Sequence, residues 1–322
     1  MIRSVAITGA TGFIGGHVAA DLAARGVAVT SIVRPESRHP SPPDSRVVHA
    51  ALLDESALRG AFAGIDAVVH LAGVVAAVDP KLYFTVNTEG TRAVATAARD
   101  AGARLIHVSS LAAAGPAPAS APCRETDVPH PITPYGRSKL ESERIIAATA
   151  GLRSIVLRPG VVYGPTDKAV FPLFQAARRG LLPLAGRADA AYAFVHVDDV
   201  VRTIVAAVEK TAVSGPVFVA HPAPVTPRDL IDAIQAGVGR DGRVVRVPMA
   251  LTRVLALAGD VAALVTRRPM MLNSWRYAEM AADGFCCRVD RMRDDLGVVA
   301  RMGLREGIAQ TAEWYLKAGW LS

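Results

Sequence analysis

The feature that most constrains the fold is a short apolar run that ends in three evenly spaced glycines. Residues 4–8 read as a buried parallel strand. Gly9, Gly12 and Gly15 follow, and the apolar side chains after them recur at helical spacing. A strand that turns into a helix over glycines allows a tight bend and a close approach of the backbone to a pyrophosphate. The helix N-terminus then offers free N–H groups, so the segment predicts a dinucleotide site, although the usual spacing is G-x-G-x-x-G.

Strand and helix patterns alternate through the first half of the chain. Strands are predicted at 27–33, 46–50, 67–71, 104–109 and 154–157, and helices at 12–24, 55–61, 83–100 and 134–148. This alternation predicts an α/β fold with a Rossmann-type doubly wound parallel sheet. Ligands of such sheets lie beyond the carboxyl ends of the strands, where the glycine turn, 71–73, 109–110 and 158–160 fall.

The second half of the chain has a different pattern. Helices are predicted near 169–179, 197–209, 227–237, 249–265 and 304–317, with short strands between them. This pattern predicts a smaller, mainly helical C-terminal substrate domain. The expected division is a cofactor domain of residues 1–165, to which 194–220 return, and a substrate domain of 166–193 and 221–322. Residues 112–134 lack periodicity and are predicted to form a loop beside the site.

Composition restricts the classes of function. The net charge is +7, but the basic residues are dispersed, so no nucleic-acid partner is expected. The three cysteines fit neither a disulfide framework nor a metal site, and the N-terminus shows no signal-peptide pattern, so a cytoplasmic protein is expected. The apolar stretch 250–265 contains Arg253 and Asp260 and is short, so no stable membrane span is expected.

A second constellation lies near the middle of the chain. Thr133 is a helix cap, and Tyr135 and Lys139 then lie four residues apart on one helical face. An ammonium near a phenol lowers the pKa of the tyrosine, which can then act as a general acid or base. Ser109 and Ser110 end the strand predicted to lie beside this helix. The alternative is that Tyr135 and Lys139 are ordinary surface residues.

Several motifs in order resemble the extended short-chain dehydrogenase/reductase family, in its NAD-dependent epimerase/dehydratase-like part. The matching segments are 8–15, 70–73, 86–91, 108–110, 135–139, 157–165 and 194–200. They cover most of the chain. The nearest branch is similar to the 3β-hydroxysteroid dehydrogenases and dihydroflavonol reductases.

The resemblance implies roles for individual residues. Tyr135 is the acid/base, Lys139 binds the nicotinamide ribose, and Ser110 is the catalytic serine. Asn87 is structural or part of a proton relay. The helix-opening His196, Asp198 and Asp199 are structural, and no metal site is expected. The implied cofactor-binding set is Gly9, Thr11, Gly12, Phe13, Ile14, Arg34, Leu71, Ala72, Gly73, Ser109, Tyr135, Lys139, Pro159 and Val161. The resemblance also implies a homodimer through helices 83–100 and 134–148.

The end of the second strand bears on the choice of cofactor. NAD-preferring members carry an acidic residue there, whereas this chain has Val33 followed by Arg34. An arginine can pair with a 2′-phosphate, so NADP is favoured, with Arg38 as further help and NAD as the alternative. Glu36 complicates this interpretation. Ala51 stands where many members carry an adenine-facing aspartate.

The substrate is less constrained by the sequence. Val161 and residues 190–193 lack the asparagine and arginine that grip nucleotide sugars in related epimerases and dehydratases. Residues 249–272 would offer an apolar surface, unless they are core or a dimer contact. The expected activity is an NADP(H)-dependent alcohol dehydrogenase or carbonyl reductase acting on a small hydrophobic ketone, aldehyde or secondary alcohol. The alternatives are a sugar-nucleotide epimerase or dehydratase with tightly bound NAD, and a non-catalytic dinucleotide sensor.

Overall fold

The computed structural model describes residues 2–321, and a parallel sheet of seven strands forms its centre. The strands in chain order are β1 (Ser4–Thr8), β2 (Ala28–Val33), β3 (Ser45–His49), β4 (Ala67–His70), β5 (Arg104–Val108), β6 (Ser154–Pro159), β7 (Val161–Tyr163), β8 (Leu181–Leu184), β9 (Ala191–Tyr192), β10 (Phe194–His196), β11 (Gly215–Val219), β12 (Arg243–Arg246) and β13 (Gly284–Phe285).

The strand order of the central sheet is β11-β6-β5-β4-β1-β2-β3. Strand β1 pairs with β2 on one side and with β4 on the other, and Thr8 lies opposite His70. The order of the strands therefore reverses at β1, where open α/β sheets bind their ligands. The predicted Rossmann-type sheet is confirmed, and β11 joins it beside β6. The proposed bounds of the two domains stay a prediction.

The helices alternate with these strands. They are α1 (Phe13–Ala24), α2 (Glu55–Phe62), α3 (Lys81–Tyr83), α4 (Gly90–Asp100), α5 (Pro134–Ala148), α6 (Phe171–Arg178), α7 (Val197–Glu209), α8 (Pro227–Val238), α9 (Met249–Thr266), α10 (Ser274–Ala281), α11 (Asp290–Asp294) and α12 (Leu304–Lys317). A π-helical turn, Phe84–Glu89, joins α3 to α4. The predicted bounds of α5, α7 and α12 agree with the structure, whereas α10 and α11 were not predicted.

Apolar side chains cover both faces of the sheet. On one face, Val18 and Leu22 of α1 and Ile204 of α7 are buried against the strands. On the other face, Leu58 of α2 and Val94 of α4 are buried with a set of alanines. Small side chains let α4 approach the sheet closely, so alanine fills an interior that contains few aromatic rings.

The C-terminal half adds a separate hydrophobic cluster. Phe174 of α6, Ile234 of α8 and Tyr315 of α12 are buried together. Three short parallel pairs, β7–β10, β8–β12 and β9–β13, lie outside the central sheet. The predicted loop at 112–134 is held by backbone bridges from Ala117 to Phe285 and from Cys123 to Cys287. The C-terminal half therefore has short strands between its helices, as predicted, and these pairs satisfy backbone groups there.

Helix α9 is unusual for its exposure. It has 18 residues and a mean hydropathy of 1.6, but only 17% of it is buried. By length and composition it is long enough to cross a membrane, which corrects the expectation that the segment is too short. A single such helix is weak evidence for a span, and Arg253 and Asp260 lie within it.

Arg104 joins the sheet to the end of α7. Its guanidinium is buried and donates to the carbonyl oxygens of Ala207, Lys210, Thr211 and Val213. We expect Arg104→Met to lower the free energy of unfolding by about 3 kcal/mol, because several buried carbonyls lose their donor.

The matched control for this prediction is Arg153→Met. Arg153 is exposed and donates to the carbonyl of Gly102. Urea denaturation of both variants measures the difference. Equal losses of stability would contradict the role given to Arg104.

Candidate functional site

The glycine turn after β1 packs backbone against backbone. Gly9 has a φ of +76°, and a Cβ at this position would lie 2.7 Å from the amide nitrogen of Ala72. A Cβ at Gly15 would collide with the carbonyl oxygen of Gly9. A side chain at either position would separate β1, α1 and the end of β4. The turn therefore depends on glycine for both its conformation and its packing.

The first turn of α1 is open to an anion. Gly12 precedes the helix and has no side chain that could cap it, and no acidic residue occupies the first turn. Thr11, Phe13 and Ile14 are half-buried around this end. The helix dipole and the uncapped N–H groups favour a phosphate here. This cradle fits the diphosphate of a dinucleotide.

Asn87 fixes the loop that follows β4. Its Oδ1 accepts from the backbone nitrogen of Val74 at 2.7 Å, and its Nδ2 donates to the carbonyl of Val74 and to Ser138 Oγ, both at 3.0 Å. A Cβ at Gly73 would lie 3.0 Å from Asn87 Oδ1. Of the two roles considered for Asn87, these contacts support the structural one. They also connect the loop after β4 to Ser138 of α5.

Tyr135 lies in the first turn of α5, and Thr133 caps this helix as predicted, accepting from the nitrogen of Gly136 at 3.1 Å. The Ser110 side chain lies close enough to the Tyr135 phenol to lower its pKa, so these two predicted catalytic residues come together. Burial outweighs this effect and raises the pKa of Tyr135 to about 12. Tyr135 is therefore a protonated acid near neutral pH.

Lys139 lies one turn further along α5 and is buried. Its Nζ donates to the carbonyl of Val108 at 2.8 Å, at the end of β5. Burial lowers the pKa of Lys139 to about 8, and Glu143 opposes this shift. The expected lowering of the tyrosine pKa by Lys139 is not seen, because burial of the phenol is the largest effect on it.

Ser109 is bound within the protein. Its hydroxyl donates to Glu143, whose carboxylate pairs with Arg158 through three contacts of 2.6 to 3.1 Å. Both members of this ion pair are almost fully buried. The Ser109 hydroxyl therefore joins β5, β6 and α5, and its predicted contact with the cofactor is not supported by where the side chain points.

The predicted adenosine contacts lie at the end of β2. Arg34 and Arg38 are exposed, and no hydrogen bond or ion pair engages the Arg34 side chain within residues 2–321. The Arg34 guanidinium is thus available to an anionic ligand. Pro159 is buried at the end of β6, whereas Val161 in β7 is exposed.

The residues at the start of α7 support the fold. His196 caps the helix by accepting from the nitrogen of Asp198 at 3.3 Å. Asp199 is buried and accepts from the nitrogens of Arg301 and Met302, both at 3.0 Å, while also pairing with Arg202. These contacts give His196 and Asp199 structural roles.

Sequence reasoning missed a polar pair whose charges act on the tyrosine. Glu279 of α10 acts electrostatically on Tyr83, Tyr135 and Tyr192, and it pairs with Arg276 at 2.9 Å. Burial raises the pKa of Glu279. Tyr83 also packs edge-on against Tyr135, with ring centroids 6.1 Å apart. The available signal was Asn273, which caps α10, followed by an Arg–Glu pair at helical spacing.

The glycine cradle agrees with the family to which the sequence is similar. A model of the NAD-dependent epimerase/dehydratase family matches residues 5–220, which is more than half of the chain. The chain therefore belongs to the NAD-dependent epimerase/dehydratase family. The family and the cradle together support a nicotinamide dinucleotide as its cofactor.

Individual relatives include reductases and epimerases. The chain is 32% identical to ceramide reductase of Caulobacter vibrioides, over 98% of this chain and 96% of that protein. It is 25% identical to UDP-glucose 4-epimerase of Vibrio cholerae, over 99% and 97%. It also resembles the solved structure of MoeE5 with UDP-glucose and NAD, at 26% identity and a TM-score of 0.76, over 98% and 99%.

Lys139 makes stability depend on pH in a defined direction. Its pKa is about 8 in the folded protein, below the ordinary 10.5, so the unfolded chain holds more protons between these values. We expect the free energy of unfolding to rise across this window, by at most about 3 kcal/mol relative to Lys139→Met.

Urea denaturation at several pH values measures this difference. Both proteins are compared without cofactor, so that ligand binding does not add to stability. Parallel curves for the unmodified protein and Lys139→Met would show that Lys139 is not held with a lowered pKa.

Proposed function

We propose that the chain is an NADP(H)-dependent carbonyl reductase, or alcohol dehydrogenase in the reverse direction, for a hydrophobic substrate. The observation that carries the proposal is the meeting of the Ser110 hydroxyl and the Tyr135 phenol, with Lys139 one turn away on α5. These residues lie at the carboxyl end of β5, on the same edge of the sheet as the glycine cradle.

The nicotinamide ring of the bound cofactor would supply or accept the hydride. Tyr135 donates a proton to the carbonyl oxygen during reduction, and its raised pKa keeps that proton available at neutral pH. Ser110 hydrogen-bonds the same oxygen and orients it. Lys139, one turn further along α5, would bind the nicotinamide ribose. Tyr83 packs edge-on against the Tyr135 ring and limits the access of water on that side.

The proposed preference for NADP rests on Arg34. Its exposed guanidinium follows the last residue of β2, where an acidic side chain would select NAD. A guanidinium can hold a phosphate through two hydrogen bonds, and Val33 offers nothing to a ribose hydroxyl.

The proposed substrate class rests on apolar surroundings. Ala190, Ala191 and Ala193 are buried, and the carbonyl of Ala193 bonds the nitrogen of Val161 at 2.8 Å. These positions thus offer no side-chain donor to a nucleotide diphosphate. The relative named ceramide reductase supports a lipid-like carbonyl or alcohol as the first substrates to test.

An epimerase with tightly held NAD is the second candidate, because UDP-glucose 4-epimerase is among the relatives. Such an enzyme shows no net oxidation and retains its cofactor through purification. A dinucleotide sensor without catalysis is the third candidate, and the grouping of Ser110, Tyr135 and Lys139 speaks against it.

Tyr135→Phe tests the proposed acid. We expect turnover to fall by about 10²- to 10⁴-fold, because the variant lacks the proton that the carbonyl oxygen receives. Binding of the cofactor should change little. Initial rates of NADPH oxidation with hydrophobic ketones measure the first quantity, and fluorescence titration the second.

Tyr83→Phe is the matched control, since it removes a neighbouring buried hydroxyl that accepts from the nitrogen of Ala77. It should retain most of the turnover. If Tyr135→Phe keeps full activity, the proposed mechanism is wrong.

Arg34→Ala tests the proposed cofactor preference. We expect the affinity for NADPH to fall about 10- to 100-fold, because a charge-assisted pair with the 2′-phosphate is lost. The affinity for NADH should stay nearly constant. Calorimetric titration of both cofactors against cofactor-free protein measures the ratio.

Arg38→Ala is the control for a general effect of positive charge, and its affinity for NADPH should fall less than that of Arg34→Ala. Tight binding of NADH, with no change in the affinity for either cofactor in Arg34→Ala, would contradict the NADP proposal and favour the epimerase.

A further inference from the structure

Helix α9 presents its large apolar side chains outward. Its buried positions carry small residues, Thr252, Ala256 and Ala263, spaced along one stripe. The opposite face is exposed and consists of Leu251, Val254, Leu255, Leu257, Val261, Leu264 and Val265. Val261, Leu264 and Val265 are 62%, 70% and 79% exposed. A continuous exposed face of this kind marks an interaction surface.

The buried stripe of α9 is already occupied by its own chain. A Cβ at Gly259 would collide with the carbonyl oxygen of Leu272, so the segment before α10 lies directly against the helix. Asp260 accepts from the nitrogen of Ser274 at 3.2 Å and from the Ser274 hydroxyl. A transmembrane position would require these contacts to enter the hydrocarbon or to break. The outer face alone is free for a partner.

The charges in the chain segment that contains α9 are almost all positive. Between residues 243 and 268 the chain has five arginines and one acidic residue, Asp260. The arginines are Arg243, Arg246, Arg253, Arg267 and Arg268. All five are exposed, and none has an ion-pair partner in the described part of the chain, residues 2–321. The partner of this surface should therefore be apolar and anionic.

We propose that α9 docks in the plane of an anionic lipid bilayer, with its outer face among the acyl chains and the flanking arginines at the headgroups. An amphipathic helix with basic flanks binds at this depth, and arginine side chains extend along apolar surface to reach lipid phosphates. A second copy of the chain fits less well, because a two-fold contact would bring the same unpaired arginines together.

Docking would bring the bilayer close to the candidate active site. Helix α10 packs on α9, and Glu279 of α10 acts electrostatically on Tyr135. The docking proposal does not depend on the proposed reaction, because the exposed face and its charges are independent of the chemistry at Tyr135.

Co-sedimentation of the full chain with vesicles tests the proposal without measuring turnover. The probes are vesicles of equimolar phosphatidylglycerol and phosphatidylcholine, and vesicles of phosphatidylcholine alone. We expect binding to the first and much weaker binding to the second. The double variant Val254→Asp/Val261→Asp should bind about a hundredfold more weakly, since charges replace buried apolar groups.

Leu316→Asp is the matched control, because Leu316 is an exposed apolar residue on α12, and it should bind like the unmodified protein. Arg267→Ser/Arg268→Ser leaves the apolar face intact and should weaken binding to anionic vesicles about tenfold or more at low salt. Thermal unfolding and binding of the nicotinamide dinucleotide show that each variant is folded. If Val254→Asp/Val261→Asp does not fold, the vesicle binding of Arg267→Ser/Arg268→Ser tests the proposal instead.

Three results would overturn the proposal. One is the absence of vesicle binding by the unmodified protein. Another is binding that neither double variant weakens. The third is sedimentation equilibrium, without vesicles, that shows a dimer abolished by Val254→Asp/Val261→Asp, because α9 would then be an interface between copies. Since no turnover is measured, a failure of the proposed reductase chemistry leaves each of these results interpretable.

Discussion

The contact of the Gly9 backbone with the end of β4 is the constraint on which the rest of the site depends. It sets how closely β1, α1 and Ala72 approach, and hence where the free N–H groups of α1 point. From Gly73 the same strand end continues to Asn87, and Asn87 holds Ser138 on α5. The cofactor cradle and the helix that carries the proposed acid are thus joined through hydrogen bonds and backbone packing.

Burial governs the charges around this framework. His70 lies between Thr8 and Thr91, and burial lowers its pKa to about 3, with a smaller effect from Lys139. The ring of His107 lies tilted beside that of His70, and burial holds the pKa of His107 well below its ordinary value. Both rings are therefore neutral at physiological pH. Because both rings are neutral, Lys139 is the positive charge in this group of three side chains.

The sequence was informative where local signals determine structure. Thr133 followed by Pro134 predicted the start of α5, and the alternating strand and helix patterns predicted the parallel sheet. Two features depended on distant packing instead. The pKa of Tyr135 is raised by burial, and the sequence does not show which distant segments bury it. Glu279, which acts electrostatically on Tyr135, belongs to a short helix that has no fully buried residue and therefore no clear apolar pattern.

Helix α9 illustrates a different limit. Its apolar residues surround most of the helix, so periodicity cannot show which face is exposed. The buried face is the one that carries Gly259, because the absence of a side chain there lets the Leu272 backbone approach the helix. The sequence therefore predicted the helix within one residue at its end, but not the surface that it presents.

The buried pair of Glu143 and Arg158 has a consequence for how this chain can change over evolution. Losing Arg158 alone leaves the carboxylate of Glu143 uncompensated in the interior. Losing Glu143 alone leaves the Arg158 guanidinium unpaired and the Ser109 hydroxyl without its acceptor. Replacing both by apolar residues of similar volume is far less costly. Substitutions at these two positions should therefore accumulate in pairs among descendants of this sequence, while single replacements are removed by selection.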